Sequence, residues 1–176
     1  MRAMFAIARL ILAPLRLATL GASLMLAACG SLPPSAPAPD TASQNIRTPD
    51  DPRSIDVVMF ALGLMETGYR FGGKNPEAGL DCSGMVSYVF DKAAGLKLTG
   101  SAADLARKGR PVRREALRPG DLLFFNINSH PHSHVAIYIG DGRFIHAPST
   151  KGKVKVEDLD KPWFASRFEE ARTYLD

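Results

Sequence analysis

The first half of the domain-sized region has the residue pattern of helices. A helix is predicted from Asp51-Pro52, which have the residue types of an N-cap and a first helical position, to Gly68. A shorter helix is predicted from Ser101 to Gly109, because Ser101 and Asp104 fit a capping box. The apolar positions of the first helix are Ile55, Val58, Met59, Leu62 and Met65.

A central helix is predicted to begin within Asp81-Cys82-Ser83-Gly84, directly after the turn-rich run 72–79. Its apolar positions are Met85, Val86, Val89 and Phe90, and Gly95 stands where a C-terminal cap is expected. Cys82 then lies in the first turn, where unpaired N–H groups and the helix dipole favour a thiolate, so we expect the pKa of the thiol below its free value. Such a thiolate is a nucleophile, whereas an inert buried cysteine is not expected at a helix start.

After Gly109 the pattern changes to short runs of β-branched and aromatic residues. Strands are predicted at Asp121 to Phe125, His134 to Ile139, Arg143 to Ala147 and Val154 to Val156. The segment from Trp163 to Leu175 stays open, because its spacing suits a helix while its second half could also close a sheet. The domain therefore reads as helices first and strands afterwards, and the first helix is predicted to pack behind the Cys82 helix.

Two histidines lie on the strands that flank the turn Gly140-Asp141-Gly142. If this turn is a three-residue loop, counting back along both strands makes His134 and His146 diagonal neighbours on one face. A two-residue loop would send them to opposite faces, and the sequence leaves both registers open. In the first register His134 can take the proton of Cys82 and later protonate a leaving amine, while His146 accepts a hydrogen bond from the other ring nitrogen.

The N-terminal region has the pattern of a secretory signal. Three arginines are followed by the apolar run 17–28, which is too short to span a bilayer and ends in small residues. Leu26-Ala27-Ala28-Cys29 resembles the lipobox of bacterial lipoproteins, with an ordinary signal peptidase site as the alternative. Residues 1–28 are therefore predicted to be a lipoprotein signal peptide, cleaved before a lipidated Cys29. Gly30 at the next position resembles lipoproteins of the outer membrane, which predicts a location on its periplasmic side.

Removal of this signal would change the charge of the chain. The whole sequence has 22 Lys and Arg against 18 Asp and Glu, and loss of the three arginines leaves 19 against 18. Since no basic stripe with interleaved aromatic residues is present either, nucleic-acid binding is excluded. Acylation of Cys29 would leave Cys82 as the remaining thiol, so no intrachain disulfide is expected.

The rest of the chain divides into a tether and one domain. Residues 29–49 are predicted to be a lipidated N-terminus and a disordered, proline-rich tether. Extended as polyproline II, this tether could reach about 60 Å. Residues 50–176 have the size of one domain.

Five blocks of sequence follow one another in this domain. They are Tyr69 to Gly73, Asp81 to Gly84, Leu117 to Phe125, Ser133 to Gly140 and Arg143 to Ala147. Each block alone is a weak signal, but in this order they resemble the NlpC-type cell-wall peptidases, a bacterial branch of the papain-like cysteine peptidases. The resemblance covers nearly the whole domain.

The resemblance implies an α+β fold, a papain-like NlpC-type domain over residues 50–176, with helices packed on an antiparallel sheet and a last strand in the open C-terminal segment. It implies that Cys82 is the nucleophile, His134 the general base and acid, and His146 the third member of the triad. It also implies that Tyr69 lies near the oxyanion, beside the backbone N–H of Cys82, and that Ser83 belongs to the same oxyanion or substrate-binding region. No cofactor is implied.

Some of these residues have other interpretations. Tyr69 could be a core aromatic residue, and the two histidines could be polar residues at strand ends without partners. The alternate histidines of the run 130–134 could suggest zinc, but Pro131 indicates a loop, and no carboxylate or second cysteine completes a ligand set. No metal site is predicted, and the loop carrying His130 and His132, which departs from the family pattern, is expected to shape the entrance of the groove.

The function implied by the resemblance is a peptidoglycan endopeptidase that cuts stem peptides. The bond is either the one between D-glutamate and diaminopimelate, favoured as the more widespread activity, or the cross-link between D-alanine and diaminopimelate. The alternatives are a catalytically silent lipoprotein that binds peptidoglycan, and an acyl or amide transferase that uses the same thiol. We expect a monomer whose partners are peptidoglycan and, through the lipid, the outer membrane. Because the tether runs directly into the first helix, we also expect stem peptides in intact sacculi to be accepted.

Overall fold

The structure, a computed structural model, describes residues 51–149 and 152–175. Its helices are α1 (Arg53–Leu62), α2 (Cys82–Ala94), α3 (Ala102–Ala106) and α4 (Pro162–Ala165), with a 3-10 turn at Arg114–Ala116. Its strands are β1 (Lys74–Asn75), β2 (Gly79–Leu80), β3 (Arg110–Val112), β4 (Leu122–Phe125), β5 (His134–Gly140), β6 (Arg143–His146), β7 (Lys155–Asp158) and β8 (Phe168–Thr173). The predicted α+β fold is confirmed.

Strands β3 to β8 form one antiparallel sheet in the order β3-β8-β4-β5-β6-β7. One face packs against α1, α2 and α3, and alternate residues such as Phe124, Val135 and Ile137 enter that core. The other face carries a second cluster, in which Phe125 and Phe144 pack with α4. Because both faces are covered, β4 consists of four buried apolar residues in succession.

Helix α1 lies where the sequence predicts a helix, but it ends earlier and turns a different face to the core. It stops at Leu62 instead of Gly68. Ile55 and Met59, which the spacing predicts for the core, are 66% and 63% exposed. This part of the prediction is wrong because apolar residues occur around most of the helix, so that spacing alone does not select a face. The face that packs inward carries Ser54, Val57 and Ala61.

The position of α1 behind α2 is confirmed. The rings of Phe60 and Tyr88 meet between the two helices with centroids 5.8 Å apart. The buried side chains of α1 are small, which allows its backbone to approach α2 closely.

Helices α2 and α3 begin as predicted. The Asp81 carboxylate accepts a hydrogen bond from the Gly84 N–H at 2.6 Å, and α2 ends at Gly95, whose φ of 67° is left-handed. Ser101 and Asp104 form a complete capping box at the start of α3. Helix α3 stops at Ala106, three residues before the predicted end, since the chain enters β3 soon afterwards.

The open C-terminal segment contains both predicted elements. The short helix α4 comes first, and β8 then lies inside the sheet between β3 and β4. The sequence does not predict β3, because a three-residue strand with a central proline has no distinctive pattern and proline suits only a sheet edge.

The predicted signal peptide (1–28), Cys29 and the tether (29–49) lie outside the described residues. Within the ranges that the structure describes, no helix is long and apolar enough to cross a membrane.

Candidate active site

The backbone around Cys82 is organised by Asp81. One oxygen of its carboxylate accepts the cap hydrogen bond from Gly84 and a hydrogen bond from the Ser83 hydroxyl at 3.1 Å. The other oxygen accepts from the N–H of Gly72 at 2.9 Å. A single carboxylate therefore starts α2 and ties the Gly72-Gly73 turn to it, which fixes the first helical residue, Cys82.

Two glycines allow this turn to lie against the helix. A Cβ on Gly84 would lie 1.9 Å from the carbonyl oxygen of Gly73, and a Cβ on Gly73 would lie 2.2 Å from the carbonyl oxygen of Gly79. Neither contact is possible with a side chain, so glycine is required at both positions. The close approach also allows the Asp81 N–H to donate to the carbonyl of Gly73 at 3.1 Å.

The electrostatic setting of Cys82 differs from the sequence expectation. Burial raises the pKa of the thiol, and this effect outweighs the hydrogen bonds from the N–H groups of Val135, Ser83 and Cys82 itself. The neighbouring Asp81 charge also raises the pKa. The predicted lowering by the helix start is therefore wrong in direction, because the half-buried thiol loses more solvation than the backbone N–H groups restore.

The hairpin of β5 and β6 sets the register of the two histidines. Gly140 pairs with Arg143 across a two-residue turn, Asp141-Gly142, with both turn residues at positive φ. Ile139 is then an extra residue on β5, because the next pair is Tyr138 with Phe144. This bulge shifts the register by one and restores the pairing that a three-residue loop would give. The predicted pairing is right, although the turn that produces it is the shorter one.

His134 and His146 consequently face each other on one side of the sheet. The Nε2 atom of His134 lies 2.8 Å from the Nδ1 atom of His146, and the ring planes are nearly perpendicular. Both side chains lie on the aromatic face of the sheet, where Phe125 contacts His134 and Phe144 contacts His146. The diagonal contact predicted from the hairpin is thus present.

Burial determines the charge of this pair. It lowers the pKa of His134 to about 4 and that of His146 to about 3, the latter with help from His134 and the Lys155 charge and against the Glu157 charge. Both imidazoles are therefore neutral at pH 7. A neutral imidazole has one nitrogen free to accept a proton, which is the state that a general base requires.

The hydrogen bond between the rings defines two possible tautomers. If His134 Nε2–H donates to His146 Nδ1, then Nδ1 of His134 carries a lone pair and His146 carries its proton on Nε2. In the reverse arrangement His134 is protonated on Nδ1 and cannot take a proton there. Only the first tautomer leaves His134 competent as a base through the nitrogen that does not face His146.

A cavity of about 370 Å³ connects the two halves of the site, and its lining includes Tyr69, Asp81, Cys82, Ser83 and His134. Burial and the charges of Cys82 and Asp81 raise the pKa of Tyr69, so its hydroxyl remains a hydrogen-bond donor. The Ser83 hydroxyl is already engaged by Asp81, which makes its main contact a structural one. His146 does not line this cavity and reaches it through His134.

The loop between β4 and β5 forms one wall of the same cavity and carries His130 and His132. Its shape depends on His132, which has a positive φ of 51° and donates its backbone N–H to Glu169 at 2.6 Å. The His132 ring lies 3.1 Å from a carboxylate oxygen of Glu170. Among the described residues no three His, Cys, Asp or Glu side chains converge as metal ligands. The predicted role of this loop at the groove entrance matches its position.

Sequence reasoning missed three contributors to the site. Asp81 appears in the sequence only as part of a block, but its two-sided hydrogen bonding holds the thiol helix in place. The backbone N–H of Val135 in β5 lowers the pKa of the Cys82 thiol, a contribution that no sequence pattern indicates. The aromatic residues that desolvate the histidines come from three separate elements. For Asp81 alone, the N-cap position was an available signal.

Comparison with known proteins places these features in a family. Residues 66–173 match the NlpC/P60 family. The murein DD-endopeptidase MepS/murein LD-carboxypeptidase of Escherichia coli strain K12 is 38% identical over 107 residues, which are 61% of this chain and 55% of that protein. The gamma-DL-glutamyl hydrolase of Bacillus subtilis strain 168 is 38% identical over 127 residues, which are 70% of this chain and 30% of that protein.

The fold is similar to solved structures as well. A crystal structure of an NlpC/P60 family protein from Bacillus cereus ATCC 10987 matches with a TM-score of 0.66 at 31% identity, over 73% of this chain and 42% of that one. This similarity confirms the papain-like NlpC-type fold. The chain spans about half or less of the length of the named relatives it matches.

Proposed function

Since the chain belongs to the NlpC/P60 family, we propose that it is a cysteine peptidase that hydrolyses amide bonds in the stem peptides of peptidoglycan. The observation that carries the proposal is the hydrogen-bonded pair of His134 and His146, neutral and desolvated, of which His134 lines the cavity that also exposes Cys82. A thiol, a base and a residue that orients the base are the minimum for nucleophilic amide hydrolysis.

The first half of the reaction forms an acyl-enzyme. Cys82 Sγ attacks the amide carbonyl as its proton moves to Nδ1 of His134, while Nε2–H of His134 stays bonded to His146. Burial raises the pKa of the free thiol, so the thiol needs a base to become a nucleophile, and His134 supplies it. The imidazolium then protonates the leaving amine, and the C–N bond breaks.

The second half of the reaction repeats these transfers with water. Water attacks the thioester, His134 accepts its proton, and the carboxylic acid leaves as Cys82 recovers the proton. During both halves the carbonyl oxygen becomes an oxyanion. We propose the Tyr69 hydroxyl and the N–H of Cys82 as its donors, because Tyr69 lines the same cavity as the thiol and its raised pKa keeps it protonated.

Two bonds are candidates for cleavage. One relative is named a murein DD-endopeptidase and the other a gamma-DL-glutamyl hydrolase, at the same identity to this chain. For this chain we propose either the D-alanyl-diaminopimelate cross-link, a DD bond, or the D-glutamyl-diaminopimelate bond within a stem, a glutamyl bond. The two cleavages release fragments of different mass from the same sacculi.

The test is mass spectrometry of fragments released from intact, purified sacculi. We expect the wild-type protein to release stem or cross-link fragments and Cys82→Ala to release none. Binding to sacculi with no fragments from either protein would favour a silent binding protein. Fragments extended by an added amine, in place of water, would favour a transferase. Either result would overturn the hydrolase proposal.

We also propose that Cys29 is lipidated and holds the domain on the periplasmic side of the outer membrane. The lipobox-like residues Leu26 to Cys29 and the proline-rich tether support this proposal. Mass spectrometry of the purified protein should find an acylated N-terminal cysteine. The Cys29→Ser variant should no longer be found in the outer-membrane fraction. Unchanged fractionation of the Ser variant would argue against the anchor.

A further inference from the structure

A second cavity, whose lining does not include Cys82, adjoins the histidine pair. It has a volume of about 410 Å³, and His134 and His146 belong to its lining. Its remaining charged residues are Lys155 and Glu157 from β7 and Lys161 from the start of α4. The mechanism derived above uses none of these three residues.

The register of β6 and β7 explains why charges of both signs surround His146. His146 pairs with Lys155, and Phe144 pairs with Glu157. Since alternate residues share a face, Lys155 lies opposite His146 and Glu157 lies diagonal to it on the same face. Two further titratable groups line this cavity among the described residues: Lys161 and His134, the hydrogen-bond partner of His146.

Glu157 is a well-held carboxylate. It accepts hydrogen bonds from Lys155 at 2.8 Å and from Lys161, and its side chain is only 12% exposed. The two lysines hold the pKa of Glu157 below its usual range, although burial acts in the opposite direction. Glu157 therefore remains ionised over the pH range in which the histidine pair works.

His146 has one unused polar atom, and its side chain lines the same cavity as Glu157. Its Nε2 atom is buried and has no hydrogen-bond partner among the described residues. In the tautomer that leaves His134 able to act as a base, this atom carries the proton. A buried N–H without an acceptor is unfavourable, so a nearby negative charge is the group that stabilises this tautomer.

We propose that Glu157 is a positioning residue for the histidine pair, acting through His146 to favour the tautomer with a free Nδ1 on His134. Glu157 also stabilises the positive charge that the pair acquires when His134 takes the proton of Cys82. The proton stays on the imidazoles, and the carboxylate acts by charge alone. Lys155 opposes Glu157, so the net proton affinity of the pair depends on the balance of the two. The proposal rests on the proposed peptidase function, but the alkylation experiment that tests it does not require that function.

The test uses Glu157→Gln and Lys155→Gln as a matched pair, since each removes one charge and breaks the same ion pair. The first readout is the rate at which iodoacetamide alkylates Cys82 as a function of pH, which needs no peptidoglycan. Glu157→Gln should move the acidic limb of this profile to lower pH by about half a unit, and Lys155→Gln should move it to higher pH. Glu157→Asp should restore most of the wild-type profile.

The second readout is hydrolysis of sacculi. Glu157→Gln should lower kcat several-fold with KM nearly unchanged, because Glu157 lines the second cavity and not the one that holds Cys82. The proposal would be overturned if the alkylation profile shifted in the same direction for both Gln variants, since loss of the ion pair alone affects both variants alike. It would also be overturned if Glu157→Gln showed no shift. Opposite shifts without any hydrolysis by the wild type would support the role of Glu157 and refute the peptidase function.

Discussion

The two halves of the site are built in different ways. The thiol half is local: Asp81 bonds to Ser83, Gly84 and Gly72, all within ten residues. The histidine half depends on three adjacent strands, one bulge and an aromatic cluster drawn from distant parts of the chain. The difference indicates that the thiol half depends on backbone fit and hydrogen bonds, whereas the histidine half depends on register and burial.

Burial acts on both halves in the same sense. It raises the pKa of Cys82 and lowers those of His134 and His146, so every reacting group is neutral before the reaction. A neutral thiol and a neutral imidazole cost little to bury, whereas either ion alone would cost several kcal/mol. Substitutions in one half at a time test whether the thiol half depends on backbone fit and the histidine half on burial.

The largest expected effect comes from removing the reacting groups on either side. Cys82→Ala, Cys82→Ser and His134→Ala should each reduce hydrolysis of sacculi by about 10⁴-fold or more. His146→Ala should leave measurable residual activity, because it orients the base and does not react itself. Single-turnover rates measure this ranking. Equal losses for His134→Ala and His146→Ala would show that the two histidines share the proton and that His146 is more than an orienter.

The next prediction concerns the histidine half, whose burial should make folding stability depend on pH. Each histidine binds a proton near pH 6.5 when unfolded but only near pH 4 or 3 when folded, so the unfolded state takes up more protons as pH falls between those values. Folding stability should therefore fall from pH 7 to pH 5, by about 2 kcal/mol for each histidine.

Urea unfolding at several pH values measures this slope. His146→Gln should have a clearly flatter slope than the wild type between pH 7 and pH 5, because one of the two titrating groups is absent. An unchanged slope in that variant would mean that the pair is not desolvated in the folded protein.

A third prediction strains the thiol half. Gly84→Ala places a Cβ 1.9 Å from the Gly73 carbonyl oxygen, and overpacking of this kind should cost about 1–3 kcal/mol of unfolding free energy. Gly68→Ala is the matched control, because a Cβ there meets nothing within 4 Å. Denaturant unfolding and alkylation of Cys82 measure both variants. Similar stability of the two variants would contradict the close approach.

The smallest expected effect concerns the wall of the cavity. Glu169→Ala removes the acceptor of the His132 N–H and should cost about 1 kcal/mol or less, since the loop is exposed. KM for sacculi should rise while kcat changes little, because the thiol and the histidines stay in place. Glu169→Gln keeps an acceptor and is the control. A fall in kcat without a change in KM would connect this loop to the chemistry.

Much of the thiol half is predictable from the sequence. The caps at Asp81, Gly95 and Ser101 use hydrogen bonds or backbone conformations that span only a few residues, so the local sequence determines them. The resemblance of the five blocks also predicts the α+β fold and the residues that meet at the cavity.

The tertiary structure decided the rest. The bulge at Ile139, the buried face of α1 and the strand β3 depend on partners far away in the chain, and periodicity was consistent with more than one outcome. The direction of the Cys82 pKa was decided in the same way, because solvation lost on folding is a property of the packed site and not of the helix start. Sequence fixes interactions whose partners are neighbours, whereas register, burial and the charge beside His146 exist only once distant strands are paired.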